Sequence, residues 1–373
     1  MFEPDDFSNL AKRLFPFCRS ITGNGVRQTF EIVKEYIPEL CVYEIPTGTD
    51  CFDWTVPKEW NVNDAYIITP EGKKICEFSD TNLHLLNYSS PICKTVSLEE
   101  LQDHLYSRPD MPDAIPYVTS YYQERWGFCL SDEQRNTLTP GNYYVHIDTN
   151  LFDGHLTLAD VVFKGQTDEE ILVSTYTCHP SMGNNETSGI VLGVMLAKWI
   201  SQQTNLRYSY RFVFAPETIG PLVYMKDRLP YLIKNVKGAF NLTCVGDERT
   251  VSFLPSKYGD TITDKVALHV LKHSVPDFTR YSFTKDRGSD ENQYAAPGVD
   301  LPIVSIMRTR YGSYPEYHTS KDDLSLISGK GLSLSFALHI KCFDLFEKLH
   351  PLQSTVIGEP WYSKHGLRST VGA

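Results

Sequence analysis

From about residue 168 onward, strand-length apolar runs alternate with helix-length ones, and this alternation restricts the fold more than any other feature of the chain. Residues 171–176, 208–215, 238–245 and 302–307 have strand composition, while helical spacing recurs near 188–202, 220–234, 260–274 and 324–349. Strands that are apolar along their whole length need cover on two sides. The pattern therefore predicts an α/β fold, a mostly parallel sheet with helices on both faces. The 324–349 run is apolar on one face and is predicted to pack on that sheet.

The preceding residues have a different texture. Residues 5–38 read as helices interrupted at Gly23-Asn24-Gly25. From there to about 150 the pattern is one of short β-like runs (near 41–45, 65–68, 115–119 and 143–147) punctuated by Pro, Asn and Asp. Ser97 ahead of Glu99 and Glu100 marks a short helix among them. The chain is thus divided into a discontinuous α/β domain (1–40 and 151–357), an inserted antiparallel β-rich module (41–150) and a loose tail (358–373).

A net charge of −11 argues against nucleic acid as the main partner. No apolar run reaches the ~18 residues that would span a bilayer, so no membrane partner is expected. Nine cysteines at irregular spacings include no C-x-x-C pair. With an N-terminus that lacks both the basic start and the apolar core of a signal peptide, they point to reduced thiols in the cytoplasm. Homo-oligomer formation is left open.

Chemistry is expected where the parallel strands end. His179 stands between a strand and a helix, in the run Thr177-Cys-His-Pro-Ser-Met-Gly-Asn-Asn-Glu-Thr-Ser188. Glu217 follows the next strand, Asp247 lies just beyond the third, and His318 sits in Tyr317-His-Thr-Ser-Lys-Asp-Asp323. Two histidines and several acids at one sheet edge suit a catalytic zinc, which takes about three protein ligands and leaves a position for water. Plainer roles compete. Asn184 to Thr187 can cap the helix that follows, Asp247 can close an Asx turn, and Asp322 and Asp323 can form the N-cap region of the long helix. Cys178 is a candidate nucleophile.

The wording of these blocks resembles the di-zinc exopeptidase family that includes bacterial leucyl and aminopeptidase Y-type enzymes. Arg287-Gly-Ser-Asp-Glu-Asn292 is similar to its S-D-H segment, Tyr317-His-Thr-Ser320 to its Y-H-T-P, and Ala239-Phe-Asn-Leu-Thr-Cys-Val-Gly246 to its I-N-L-D-M-V-G strand. Cys18-Arg-Ser-Ile-Thr-Gly23 resembles its N-terminal R-x-x-G-S. Pro46-Thr-Gly-Thr49, Phe52-Asp-Trp54, Thr177-Cys-His-Pro-Ser181 and Pro216-Glu-Thr-Ile-Gly220 resemble a bacterial aminopeptidase-like subfamily with an inserted β module. The resemblance spans nearly the whole chain and implies a zinc-exopeptidase fold.

It also implies departures. The family's bridging aspartate falls at Asn185, the aspartate of its N-L-D-M strand at Thr243, and the aspartate of its H-x-D at Ser181. These losses argue for one zinc rather than two, held by His179, Glu217 and His318, with Asp247 or Glu186 assisting. Whether Glu217 is a ligand or the general base stays open. Asp290 is a candidate to hold a substrate amine or to orient a ligand, and Tyr317 and Arg308 to polarise a carbonyl or bind a carboxylate. The expected activity is metal-dependent amide hydrolysis of the aminopeptidase type on a small peptide or peptide-like metabolite. The alternatives are a binding or repurposed protein on the same scaffold, and a cysteine acyltransferase using Cys178.

Overall fold

Every residue of the strands Glu170–Tyr176, Ser209–Ala215 and Ile303–Met307 is buried. They lie in the middle of an eight-stranded sheet, where both faces are covered. The computed structural model describes residues 2–275, 277–349 and 354–368. Across the sheet the order is Cys41–Pro46, His155–Phe163, Ser209–Ala215, Glu170–Tyr176, Val236–Leu242, Ile303–Met307, Ser252–Leu254, Thr279–Arg280. The four central strands run parallel. Antiparallel pairings add Cys41–Pro46 and His155–Phe163 on one side and Ser252–Leu254 on the other, and Thr279–Arg280 pairs parallel to Ser252–Leu254 at the far edge.

Side-chain alternation divides the interior in two. Ile171, Val173, Phe212, Phe214 and Phe240 face a core built with the helices Pro4–Leu14, Asn24–Tyr36, Ser188–Ser201, Ile262–Ser274 and Gly329–Lys348. Leu172, Val213, Ala239 and Ile303 face a second core that includes the helices Ile219–Met225 and Leu229–Asn235. Ser188–Ser201 approaches the sheet so closely that a Cβ on Gly189 would lie 2.5 Å from the Leu242 carbonyl oxygen. Only glycine allows that approach.

The β-rich stretch contributes a four-stranded antiparallel sheet, Lys74–Ile75, Glu59–Ile68, Asn142–Phe152 and Ile92–Ser97. Its inward residues Ala65, Ile67, Tyr143, Val145 and Ile147 belong to the second core, so the two sheets are packed through shared apolar side chains. Cys41–Pro46 stays with the main sheet, paired to His155–Phe163.

Several elements differ from the sequence expectation. The helical run near 220–234 is two helices, with Pro230 starting the second. Residues 115–119 form no strand and make only isolated pairings, Pro116 with Thr319 and Thr119 with Asn87; a proline offers no N–H to a ladder. The long helix starts at Gly329, where Ser328 caps the Gly331 N–H at 2.9 Å, rather than near 324. In the tail, Tyr362–His365 forms a 3₁₀ turn, and 369–373 lie outside the described residues. No helix among the described residues is long and apolar enough to cross a membrane.

Candidate active site

Beyond Tyr176 the chain turns through Thr177, Cys178 and His179, passes Ser181 at a positive φ of 39°, and enters a π-helical turn at Gly183–Thr187. That turn leads directly into the helix Ser188–Ser201. Its first N–H groups need acceptors. Asp322 supplies them, accepting from Asn184 N at 2.5 Å and Asn185 N at 3.0 Å, and also from the Tyr314 hydroxyl at 2.8 Å. Burial pushes the Asp322 carboxyl up to about 6, and these three donors oppose the shift. Asp322 thus serves the helix after His179, not the long helix that follows it in sequence. Only the backbone fold of 318–323 makes this possible, and that fold leaves no periodic signal.

His179 is held by Glu186. Glu186 Oε2 accepts the His179 Nδ1 proton at 3.0 Å, the Cys178 N–H at 2.7 Å and the His179 N–H. Its other oxygen pairs with Arg19 Nε, and both side chains are fully buried. Arg19 also donates to the carbonyls of His179 and Leu14, tying the N-terminal segment to this turn. With Nδ1 committed as a donor, Nε2 is the nitrogen that offers a lone pair whenever the ring is neutral. Burial works to lower the His179 pKa, but the bond to Glu186 and the charges of Glu186 and Glu217 outweigh it and raise the value.

Glu217 comes from the next strand end. Its carboxylate stands 3.8 Å from His179 Nε2, with the side chain 21% exposed. Burial raises its pKa, opposed by the charge of His179. Thr218 takes a positive φ of 59°, and Asp290 pins that turn by accepting Thr218 N at 2.8 Å. Asp290 also receives the Ser174 hydroxyl at 3.4 Å and is completely buried, which holds its carboxyl well above the usual range. Its position is that of an anchor for the Glu217 turn.

His318 arrives from the loop after Ile303–Met307 at a positive φ of 55°. Its carbonyl accepts Tyr117 N at 2.8 Å, and its ring stacks on Tyr317 at 3.9 Å. The His318 and His179 rings lie 5.3 Å apart, and burial together with the charge of His179 pushes the His318 pKa down to about 3. His318 is therefore a neutral imidazole, the form that binds metals. Its Nε2 is buried without a hydrogen-bond partner, as is Asn185 Nδ2. Asn185 Oδ1 accepts the Tyr176 hydroxyl at 2.7 Å, and the same hydroxyl lies 2.6 Å from Thr243 Oγ1. A cavity of about 410 Å³ opens over His179, Glu217 and His318, walled by Ile21, Tyr117 and Tyr121. A larger cleft nearby contains neither histidine.

Residues 8–349 match the family described as a domain of unknown function, DUF4910. The chain belongs to that family. A Clostridium acetobutylicum protein named "Putative polysaccharide biosynthesis protein with aminopeptidase-like domain" is 42% identical over 365 residues, covering 98% of this chain and 83% of its own length. A crystal structure of a "putative peptidase" from the same species superposes with a TM-score of 0.89 at 42% identity, covering 93% of this chain and 84% of that one. At 12% identity the fold extends to BSAP, a zinc aminopeptidase from Bacillus subtilis, with a TM-score of 0.67 over 94% of this chain and 96% of that one. The DUF4910 chain is aminopeptidase-like in family and in fold.

Other candidates fall around this centre. Among the described residues, Cys178, His179 and Glu186 place ligand-type atoms within 4.8 Å of one another. Glu186 is already engaged there, three N–H groups converging on Oε2 and Arg19 holding the other oxygen. Cys178 accepts the Glu217 N–H at 3.2 Å, and burial holds its thiol pKa far up, so it is not a ready thiolate. Asp247 is occupied by Thr309, Arg249 N and Asn184 Nδ2, and among the described residues no hydrogen bond or ion pair joins it to His179, Glu217 or His318. Arg308 donates to the Asp247 carbonyl, and Tyr317 backs the His318 ring. Glu186, not Ser181 of the H-x-D-like block, places a carboxylate beside His179. Arg19, Tyr117 and Tyr121 were not foreseen as site residues. Arg19 lies in the R-x-x-G-S-like block and so carried a signal, whereas the tyrosines reach the cavity only through the packing of the β-rich module.

Proposed function

We propose that the chain is a single-zinc amide hydrolase of the aminopeptidase type, acting on a small peptide or peptide-like metabolite. One observation carries the reading: the neutral His318 ring has a buried Nε2 with no partner, beside a His179 whose own Nε2 is turned toward Glu217. Buried polar atoms are seldom left unpaired, and an exception asks for a ligand. A neutral His318, a His179 that would give up its Nε2 proton to the metal, and a carboxylate are a donor set that zinc accepts in catalytic sites. His179, Glu217 and His318 would hold the ion, with the Asn185 amide beside them. When bound, zinc supplies Lewis-acid polarisation of a carbonyl and acidifies water.

The protein's part is positioning and proton transfer. Arg19 and Glu186 fix the His179 ring, and Asp290 fixes the turn of Glu217. Among the described residues Glu217 is the one carboxylate lining the cavity; it would either complete the ligand set or, left unbound beside the two histidines, use its raised proton affinity to take a proton from attacking water and return it to the leaving amine. The aromatic walls limit competing water. All nine cysteines are free thiols, which fits a cytoplasmic setting.

A second reading rests on Asn185 and Thr243, which stand where the exopeptidase resemblance expects carboxylates and are both tied to Tyr176. A scaffold altered in this way suits changed chemistry on a biosynthetic intermediate, in line with the polysaccharide role in the relative's name. Elemental analysis of protein purified without chelator, compared with His179→Ala and His318→Ala, tests the first reading. About one zinc per chain, lost in both variants, is expected. No zinc in wild type after zinc addition would remove the hydrolase reading and leave the second.

A further inference from the structure

A cleft of about 950 Å³ lies apart from the cavity over His179. It lies where the N-terminal segment, the β-rich stretch and the two loops that carry His179 and His318 meet. Ser181 and Ser320, each two residues beyond one of those histidines, line it. The chemistry of its walls is consistent. Phe15, Phe17 and Phe78 present partly exposed rings, while Gln28, Asp80, Asn82 and Asp323 present planar amides and carboxylates. No Lys, Arg or His lines it among the described residues.

Asn82 shows that this lining is unsatisfied. Its Nδ2 donates to Ser181 Oγ at 2.8 Å and to the Pro16 carbonyl at 3.2 Å. Its Oδ1 is buried without a partner, in a side chain on the cleft wall whose residue is 9% exposed. Gln28 and Asp80 are exposed and make no side-chain hydrogen bond among the described residues. An acceptor in need of a donor, flanked by amides, carboxylates and phenyl rings, matches a ligand that carries several hydroxyl donors on an apolar ring. Phosphate or carboxylate ligands would call for cationic partners instead. The volume exceeds what one sugar ring would fill.

We infer that this cleft is a saccharide-binding site for a neutral oligosaccharide, with Asn82 Oδ1 accepting a ligand hydroxyl and the phenyl rings covering C–H faces. Binding there does not require the hydrolase chemistry of the neighbouring cavity.

The test is a screen of full-length protein against an array of neutral, acidic and phosphorylated glycans, followed by calorimetry with the strongest neutral binder. Wild type and His179→Ala should bind it equally, while the double variant Gln28→Ala/Asp80→Ala should bind at least about tenfold more weakly, a loss of ~1.4 kcal/mol. Both replaced side chains are exposed, so the variant should fold, and its unfolding midpoint checks this. Retention of no neutral glycan, retention of phosphorylated glycans alone, or neutral binding that survives the double variant would each overturn the assignment. Binding lost only in His179→Ala would also overturn it, by placing the glycan in the other cavity. Because His179→Ala is part of the comparison, failure of the hydrolase reading leaves this result interpretable.

Discussion

His179 Nδ1 lies 3.0 Å from Glu186 Oε2, and the opposite oxygen of that carboxylate is held by the buried Arg19. One carboxylate thus sets the tautomer of a candidate ligand and neutralises a buried guanidinium. Glu186→Gln removes both effects at once. Zinc affinity should fall about 10–100-fold, as it does when the partner of a ligating histidine is lost. Stability should fall by about 3–5 kcal/mol because Arg19 keeps its charge without a counter-ion. Chelator competition and urea unfolding measure the two effects. Unchanged zinc affinity in a folded variant would dissociate His179 orientation from metal binding.

Asn185 tests the stoichiometry. Its Oδ1 takes the Tyr176 hydroxyl, its Nδ2 has no partner, and it occupies the position that the exopeptidase resemblance gives to a bridging aspartate. A carboxylate there could serve two cations, whereas an amide cannot offset their charge. Asn185→Asp should therefore raise bound zinc from about one to about two per chain at saturating metal. Elemental analysis decides it, and a variant that still holds one zinc would put this side chain outside the metal centre.

Much of this architecture was legible in the sequence, for physical reasons. Buried parallel strands must be continuously apolar, so Glu170–Tyr176, Ser209–Ala215 and Ile303–Met307 announced themselves, and with them the edge where His179 and Glu217 stand. What could not be read depends on contacts between distant segments. Arg19 meets Glu186 across 167 residues, and Asn185 N meets Asp322 across 137. Neither pairing leaves a local period. Asp322 was read as a cap for its own downstream helix because an acid ahead of a helix usually is one. The tyrosine walls were hidden because residues 115–119 looked like an ordinary β run, while their pairings are isolated bridges to Thr319 and Asn87.

Cys178 separates a metal mechanism from a thiol one. It is 2% exposed, its sulfur accepts the Glu217 N–H, and burial strongly favours the protonated thiol. Alkylation requires thiolate and access. Brief iodoacetamide treatment of the native protein should modify the exposed Cys41 and Cys93 while sparing Cys178, as read by peptide mass mapping. Amide hydrolysis should survive the treatment and disappear on zinc chelation. Rapid labelling of Cys178 with loss of activity would revive the acyltransferase alternative.

His339 should make stability depend on pH from a position remote from the site. It is fully buried in the helix Gly329–Lys348, with Nδ1 on the Ser335 carbonyl at 2.7 Å, its ring edge-on to Phe240, and Nε2 without a partner. Burial lowers its pKa from 6.5 to about 4, with the Ser335 bond opposing. Because the folded value lies below the unfolded one, this contribution is complete above about pH 6.5. As pH falls from there toward 4, the unfolded chain takes up a proton that the folded chain refuses, and up to about 3 kcal/mol is lost. Carboxylates titrate nearby, so the comparison must be with His339→Leu, which lacks this proton. Between pH 7.5 and pH 5 the stability difference between variant and wild type should move by about 2 kcal/mol in favour of the variant. Urea midpoints at the two pH values provide the measurement, and a difference that does not move would mean that His339 is protonated, or reached by water, in the folded protein.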